Sequence, residues 1–235
     1  MLIQFGTIVT GASGSIGGIT LARNANSAYA RKKVKSVNPN TIPQQNRRNA
    51  FGANSRAWKG LSALEQSTWA IAAKAFPYKN KLNIASTYTG FQLFSKFNNQ
   101  LSVVGATPLI TAPLPVSING IEIVNGVISY VPNTLNISIN DTTTGSLVVP
   151  ADCVMVIAAT AALSSGITKP KKPDFRVVTQ LAAGTSTDAA DITTAYVAVF
   201  GSFPPVNANV FLEAYLVSNV TGQIGKRVQF LAFYG

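Results

Sequence analysis

The apolar positions of this chain change their period near residue 101. Before it they recur at helical spacing, and after it they run in short apolar or alternating stretches between turn residues. Between Thr41 and Lys59, TIPQQNRRNAFGANSRAWK sets Ala50, Phe51, Ala57 and Trp58 on one stripe and leaves Arg47, Arg48 and Arg56 to other faces. Ser62-Ala63-Leu64-Glu65 has the form of a capping box, in which Ser62 bonds the Glu65 N–H and Glu65 reaches back, so a second helix is predicted to begin there. Its Trp69, Ala72, Ala73 and Phe76 fall at i, i+3, i+4 and i+7, ahead of Pro77. A third helix is predicted after Gly90, with Leu93, Phe97 and Leu101 at four-residue spacing.

VVGATPLITAPLPV follows, with three prolines and no charge, and reads as an extended connector. Beyond it lie IEIVNGVISYV, LNISI, SLVV, CVMVIAAT, FRVVTQLAA, TAYVAVFG, NVFLEAYLV and RVQFLAF, each bounded by Gly, Pro, Asn or Asp. Short strands at this spacing predict an antiparallel β-sandwich. Asn125-Gly126, inside the first run, is a hairpin signal. Tyr196 and Tyr215 sit among apolar neighbours and are expected in the core or an interface. The longest apolar stretch, CVMVIAATAAL, falls well short of the roughly 20 residues that span a bilayer, so it reads as a buried strand and no membrane span is predicted. The first 22 residues lack the basic start and continuous apolar run of a secretory signal, and no cleaved leader is expected. The predicted organisation is a glycine-rich basic arm (1–40), a small helical region (41–101), a proline-rich connector (102–116) and a β-sandwich domain (117–235).

Charge divides the chain in the same place. Residues 1–100 carry 13 Lys and Arg against one acid, whereas residues 101–235 carry six against seven. Such asymmetry suits one half that meets a polyanion or an acidic partner surface. The candidate nucleic-acid or assembly contacts are Arg23, Arg31, Lys32, Lys33, Lys35, Arg47 and Arg48. Tyr29 and Trp58 would be the stacking residues of the nucleic-acid reading, although both tryptophans also fit helix stripes. The first forty residues hold five glycines and no acid, which predicts an assembly arm ordered mainly by neighbouring subunits.

One stretch invites a catalytic reading: IVTGASGSIGG, residues 8–18, is close to a dinucleotide-binding loop. That chemistry needs a helix after the glycines, whose free N–H groups hold the pyrophosphate, and an acid about 20 residues on for the ribose. Here Asn24, Asn26 and Ser27 break the apolar period, Asn38-Pro39-Asn40 forces a turn, and the first acid is Glu65. Tyr29 and Lys33 have the Tyr-x-x-x-Lys spacing of a short-chain dehydrogenase but lie too near the loop. The stretch therefore reads as a glycine-rich arm or hairpin. Histidine is absent, removing the commonest general base and zinc ligand, and the lone Cys153 lies in an apolar run and reads as a core thiol. No catalytic residue, cofactor or metal is predicted.

The order GGITLARN, AYARKKVKSVNPNTIPQQNRRNAF, SRAWKGLSALEQSTWAIAA, TGFQLFSKFNNQL resembles the N-terminal region of a structural-protein family of Bacteroidota phages and prophages. The second half resembles the immunoglobulin-like or fibronectin-like sandwich that follows in such chains. The resemblance implies an α+β, mainly β protein of the virion, in the capsid, neck or tail. It further implies a homo-oligomer whose partners are other virion proteins and packaged nucleic acid. Two alternatives stand beside it: a nucleic-acid-binding protein using the basic half, and a surface adhesin or filament subunit.

Overall fold

A computed structural model describes residues 2–3, 11–23, 28–35, 38, 40–79, 85–142 and 145–234. They belong to two units, Met1–Gln45 and Asn46–Gly235. Residues 8–10 of the glycine-rich stretch, Asn24, Asn26, Ser27 and Pro39 lie outside the described residues.

The first unit is a four-stranded antiparallel sheet of β1 (Leu2–Ile3), β2 (Gly14–Ile16), β3 (Ile19–Arg23) and β4 (Ala28–Lys32), in the order β1-β4-β3-β2. Ile16 pairs with Ile19 across a two-residue turn in which Gly17 has φ +56°, a left-handed conformation that glycine adopts without a Cβ penalty. The Lys33 N–H donates to the Gly18 carbonyl at 2.7 Å and ties the chain beyond β4 to this turn. A strand thus follows the glycines where a pyrophosphate site requires a helix start.

Three helices open the second unit: α1 (Ile42–Gly60, whose first residues belong to the first unit), α2 (Ala63–Ala73) and α3 (Gly90–Val103), with the short pair β5 (Tyr78–Lys79) and β6 (Ala85–Ser86) between the last two. The capping box at Ser62 forms as predicted: the Glu65 N–H donates to Ser62 Oγ at 3.3 Å and the Ser62 N–H donates to Glu65 Oε2 at 2.7 Å. The Ser62 N–H, and after it the Ser62 hydroxyl, which donates to the same oxygen at 2.8 Å, hold the Glu65 carboxyl below the usual carboxylate range. Thr89 and Gln92 form a second box at the start of α3, from the sequence TGFQ. Trp69 and Ala73 of α2 are buried with Leu93, Phe94 and Phe97 of α3, and the Trp69 and Phe94 rings meet edge to face at 5.3 Å.

The stripe expected on α1 is less buried than its spacing implied, since Phe51 is 55% exposed and Ala57 is exposed. This helix docks instead through Trp58, 5.4 Å from Phe94, and through Asn54, whose Nδ2 donates to Asn99 Oδ1 at 2.9 Å. The proline-rich segment is strapped down by side chains: Trp69 Nε1 donates to the Ile110 carbonyl, Asn98 bonds both backbone groups of Leu109, and Gln223 bridges the Leu114 carbonyl and the Val116 N–H. It lies within the second unit.

The large sheet comprises β7 (Ile121–Ser129), β8 (Thr134–Asp141), β9 (Gly145–Ser146), β10 (Cys153–Ala159), β11 (Leu163–Ser164), β12 (Arg176–Leu181), β13 (Ala190–Asp191), β14 (Ala208–Ser218) and β15 (Val228–Tyr234). Its main path is β12-β10-β14-β15-β7-β8-β13, with β11 beside β14 and β9 beside β8. The pairing differs from the purely antiparallel one expected, because β15 runs parallel to β7 and makes the sheet mixed. It curls as a half-barrel, so alternate residues of distant strands bury a single cluster: Ile137 and Ile139 of β8, Met155 and Ile157 of β10, Leu212 and Leu216 of β14. The class is α+β, mainly β.

Two local predictions are corrected. Asn125-Gly126 makes no turn; β7 runs straight through it, with a bulge between Ile123 and Asn125, and the β7–β8 turn lies four residues on, where Asn133 has φ +65°. At Gly126 a Cβ would stand 3.2 Å from both Leu212 Cδ1 and Phe230 Cδ1, so glycine admits neighbouring side chains here. TAYVAVFG, expected as a strand, forms helix α4 (Thr193–Phe200). Asp191 Oδ1 accepts the Thr193 N–H at 2.8 Å at its start, and Gly201, at φ +86°, closes it with its N–H on the Val197 carbonyl. The four-residue spacing of Tyr196 and Phe200 then brings their rings together at 4.6 Å, tilted by 37°. No helix among the described residues is long and apolar enough to cross a membrane.

Candidate assembly surface

Antiparallel register sorts the basic residues of the first unit onto faces. Ile19 lies opposite Lys32, Thr20 opposite Arg31 and Arg23 opposite Ala28. Since side chains alternate along a strand, Ile16, Ile19, Arg23 and Lys32 share one face, while Ser15, Thr20, Tyr29 and Arg31 share the other. The hydroxyls of Ser15 and Thr20, 3.0 Å apart, mark that second face. Arg23 and Lys32 therefore flank an apolar patch in which Ile16 is 77% and Ile19 is 52% exposed, and Arg31 points away from it. Lys33 and Lys35 follow β4 and are exposed.

In β2, β3 and β4 every residue is exposed or half-buried. A two-to-four-stranded sheet gains its stability by covering an apolar face, at about 25 cal/mol per Å² removed from water. Here Ile16 and Ile19 leave that face exposed around the β2–β3 turn, with Arg23 and Lys32 on the same face.

The other two predicted contacts, Arg47 and Arg48, are exposed on α1 in the second unit, so the seven candidates divide five and two between the units. Trp58 is half-buried against Phe91 and Phe94, which favours its packing role over base stacking.

A polar cluster absent from the predicted set occupies the outer face of the large sheet. Both carboxylate oxygens of the buried Glu213 are bonded, Oε1 by Arg227 Nη1 and Oε2 by Gln229 Nε2, each at 2.7 Å. The Arg227 guanidinium also lies over the Tyr215 ring, 4.1 Å from its centroid. Burial pushes the Tyr215 hydroxyl above its ordinary value, and the charges of Arg227 and Arg47 oppose that shift. One signal could have found this cluster: Glu213 is the lone charge in NVFLEAYLV, and a carboxylate inside a buried strand requires a partner. Cys153 is buried as predicted, with its thiol pushed up first by desolvation and then by Asp152. Among the described residues no group of three or more His, Cys, Asp or Glu could hold a metal ion.

Comparison with protein-family models, with curated proteins and with solved structures gave no match to this chain.

Proposed function

We propose that the chain is a structural component of a phage virion, in the capsid, neck or tail, and that its N-terminal unit joins copies of itself and other virion proteins. The observation that carries this reading is the apolar face of the first unit's sheet, on which Ile16 and Ile19 are exposed and no residue of β2, β3 or β4 is buried. Such a sheet is completed by a neighbour, because the cost of ordering its backbone, about 1–2 kcal/mol per residue, needs contacts to offset it. The second unit supplies the complementary property, a core drawn from β7, β8, β10, β14 and β15 and from α4. On this proposal the second half is a variant of an immunoglobulin-like or fibronectin-like sandwich, which the burial of one cluster by strands from both ends of the sheet path supports.

Sedimentation and negative-stain imaging of the full chain, beside a chain lacking residues 1–40, test the proposal. The full chain is expected to form rings, shells or tubes and the truncated chain to stay folded and monomeric. Native-sized oligomers of the truncated chain would overturn it.

The second reading is nucleic-acid binding, favoured by cations on both faces of the ribbon, Lys32 on one and Arg31 on the other. Replacing Arg31, Lys32, Lys33 and Lys35 by Gln separates the two. Assembly lost without nucleic acid present points to protein contacts; assembly retained with a weaker salt dependence of DNA binding points to phosphates.

A further inference from the structure

The outer face of the large sheet carries a cavity of about 260 Å³. Its floor is a row set by strand register, in which Ala158 of β10 lies between Val177 of β12 and Glu213 of β14. Arg47 of α1 and Lys172, in the short helical turn Lys172–Asp174, stand at its walls with Arg227. Three cations thus line the cavity against one carboxylate. Glu213 already has both oxygens bonded, one of them by Arg227, so its charge is matched within the protein. Arg47 and Lys172 form no ion pair among the described residues. Arg227 is fixed between Glu213 and the Tyr215 ring, which leaves its remaining N–H groups in a set orientation before any ligand arrives.

We propose that this cavity binds a small phosphomonoester with a compact apolar or aromatic organic part. Charge argues for the phosphoryl group. The two uncompensated cations match its charge of about −1.5 to −2 at neutral pH, whereas a single carboxylate matches half of it. Size and lining argue for the organic part. At roughly 30 Å³ per water the cavity has the volume of about nine waters, more than a bare phosphate fills. The surplus is walled by apolar groups, Val103, Phe175 and Val177, beside the cationic rim. The proposal stands apart from the assembly reading, since it uses residues of the second unit alone.

Titration calorimetry of the full chain with phenyl phosphate, inorganic phosphate and benzoate tests it. Phenyl phosphate is expected to saturate one site per chain. Inorganic phosphate, which leaves the apolar wall unfilled, and benzoate, with half the charge, are each expected to bind about tenfold more weakly. Arg47→Gln and Lys172→Gln, both at exposed positions, should each weaken phenyl phosphate about tenfold with an unchanged melting temperature. The control Lys33→Gln with Lys35→Gln should leave its affinity unaltered. Failure to saturate, undiminished affinity in both cavity variants, or an equal loss in the control would overturn the site. Benzoate binding as tightly as phenyl phosphate would overturn the phosphoryl assignment, and inorganic phosphate doing so would overturn the organic part.

Discussion

Glu213 of β14 and Arg227, the residue just before β15, are joined with 2.7 Å between Oε1 and Nη1, yet their surroundings differ: the glutamate side chain is 8% exposed and the arginine 48%. The carboxylate is the buried member, so the pair matters chiefly for what happens when the arginine is removed.

Arg227→Leu should destabilise the protein by about 2 kcal/mol, less than a fully buried pair would lose because water can still reach the site. Replacing both residues by Leu should cost less than Arg227→Leu alone, since no unpaired carboxylate remains buried. Urea unfolding at neutral pH measures the cycle. Additive losses would mean that the two residues are not coupled.

Tyr196 is buried in α4, its hydroxyl donates to the Thr160 carbonyl at 3.1 Å, and desolvation pushes it up to about 12. The unfolded chain ionises near 10, so the stabilisation of the neutral phenol is complete below about pH 10 and is lost as pH rises towards 12. Unfolding free energy should fall by on the order of 2 kcal/mol over that window. Tyr196→Phe should flatten that part of the profile while losing about 1 kcal/mol at neutral pH through the missing hydrogen bond. An equally steep alkaline loss in the variant would remove Tyr196 as its source.

Gly222 has φ +67°, and a Cβ there would stand 2.6 Å from the Phe97 carbonyl oxygen on α3. Gly222→Ala should cost more than about 2 kcal/mol, combining backbone strain with displacement of the helix. Gly145→Ala is the matched comparison, with φ +87° and open space around it, and should cost about 1 kcal/mol. Thermal melts of the two variants decide it; equal losses would leave no role for the approach to α3.

Ile16 and Ile19 carry the apolar face of the first sheet. Ile16→Asp with Ile19→Asp should abolish assembly while leaving the melting of residues 46–235 unchanged, because a charge on that face opposes burial against a neighbour. Sedimentation velocity reads the first effect and calorimetry the second. Intact oligomers would place the interface elsewhere.

Much of the local structure was settled by the sequence alone. Ser62 and Glu65 write their own capping box, and Trp69, Leu93 and Phe97 reach the core by the spacing that a helix imposes. These signals act within a few residues, so they survive without knowledge of the rest of the chain. The glycine run resolved into a hairpin for the same reason, since no helix signal follows it. Tertiary structure decided the rest. Thr193–Phe200 is rich in β-branched and aromatic residues yet is helical, with Tyr196 buried against β-strand residues distant in sequence. Asn125-Gly126 has the chemistry of a turn, but β8 pairs along both of its flanks and holds it in a strand. The parallel joining of β15 to β7 and the meeting of Arg47 with Arg227 at one cavity join residues more than a hundred positions apart. Pairing over such distances depends on which apolar faces the curled sheet can bury together, a property of the assembled core that no short window of sequence contains.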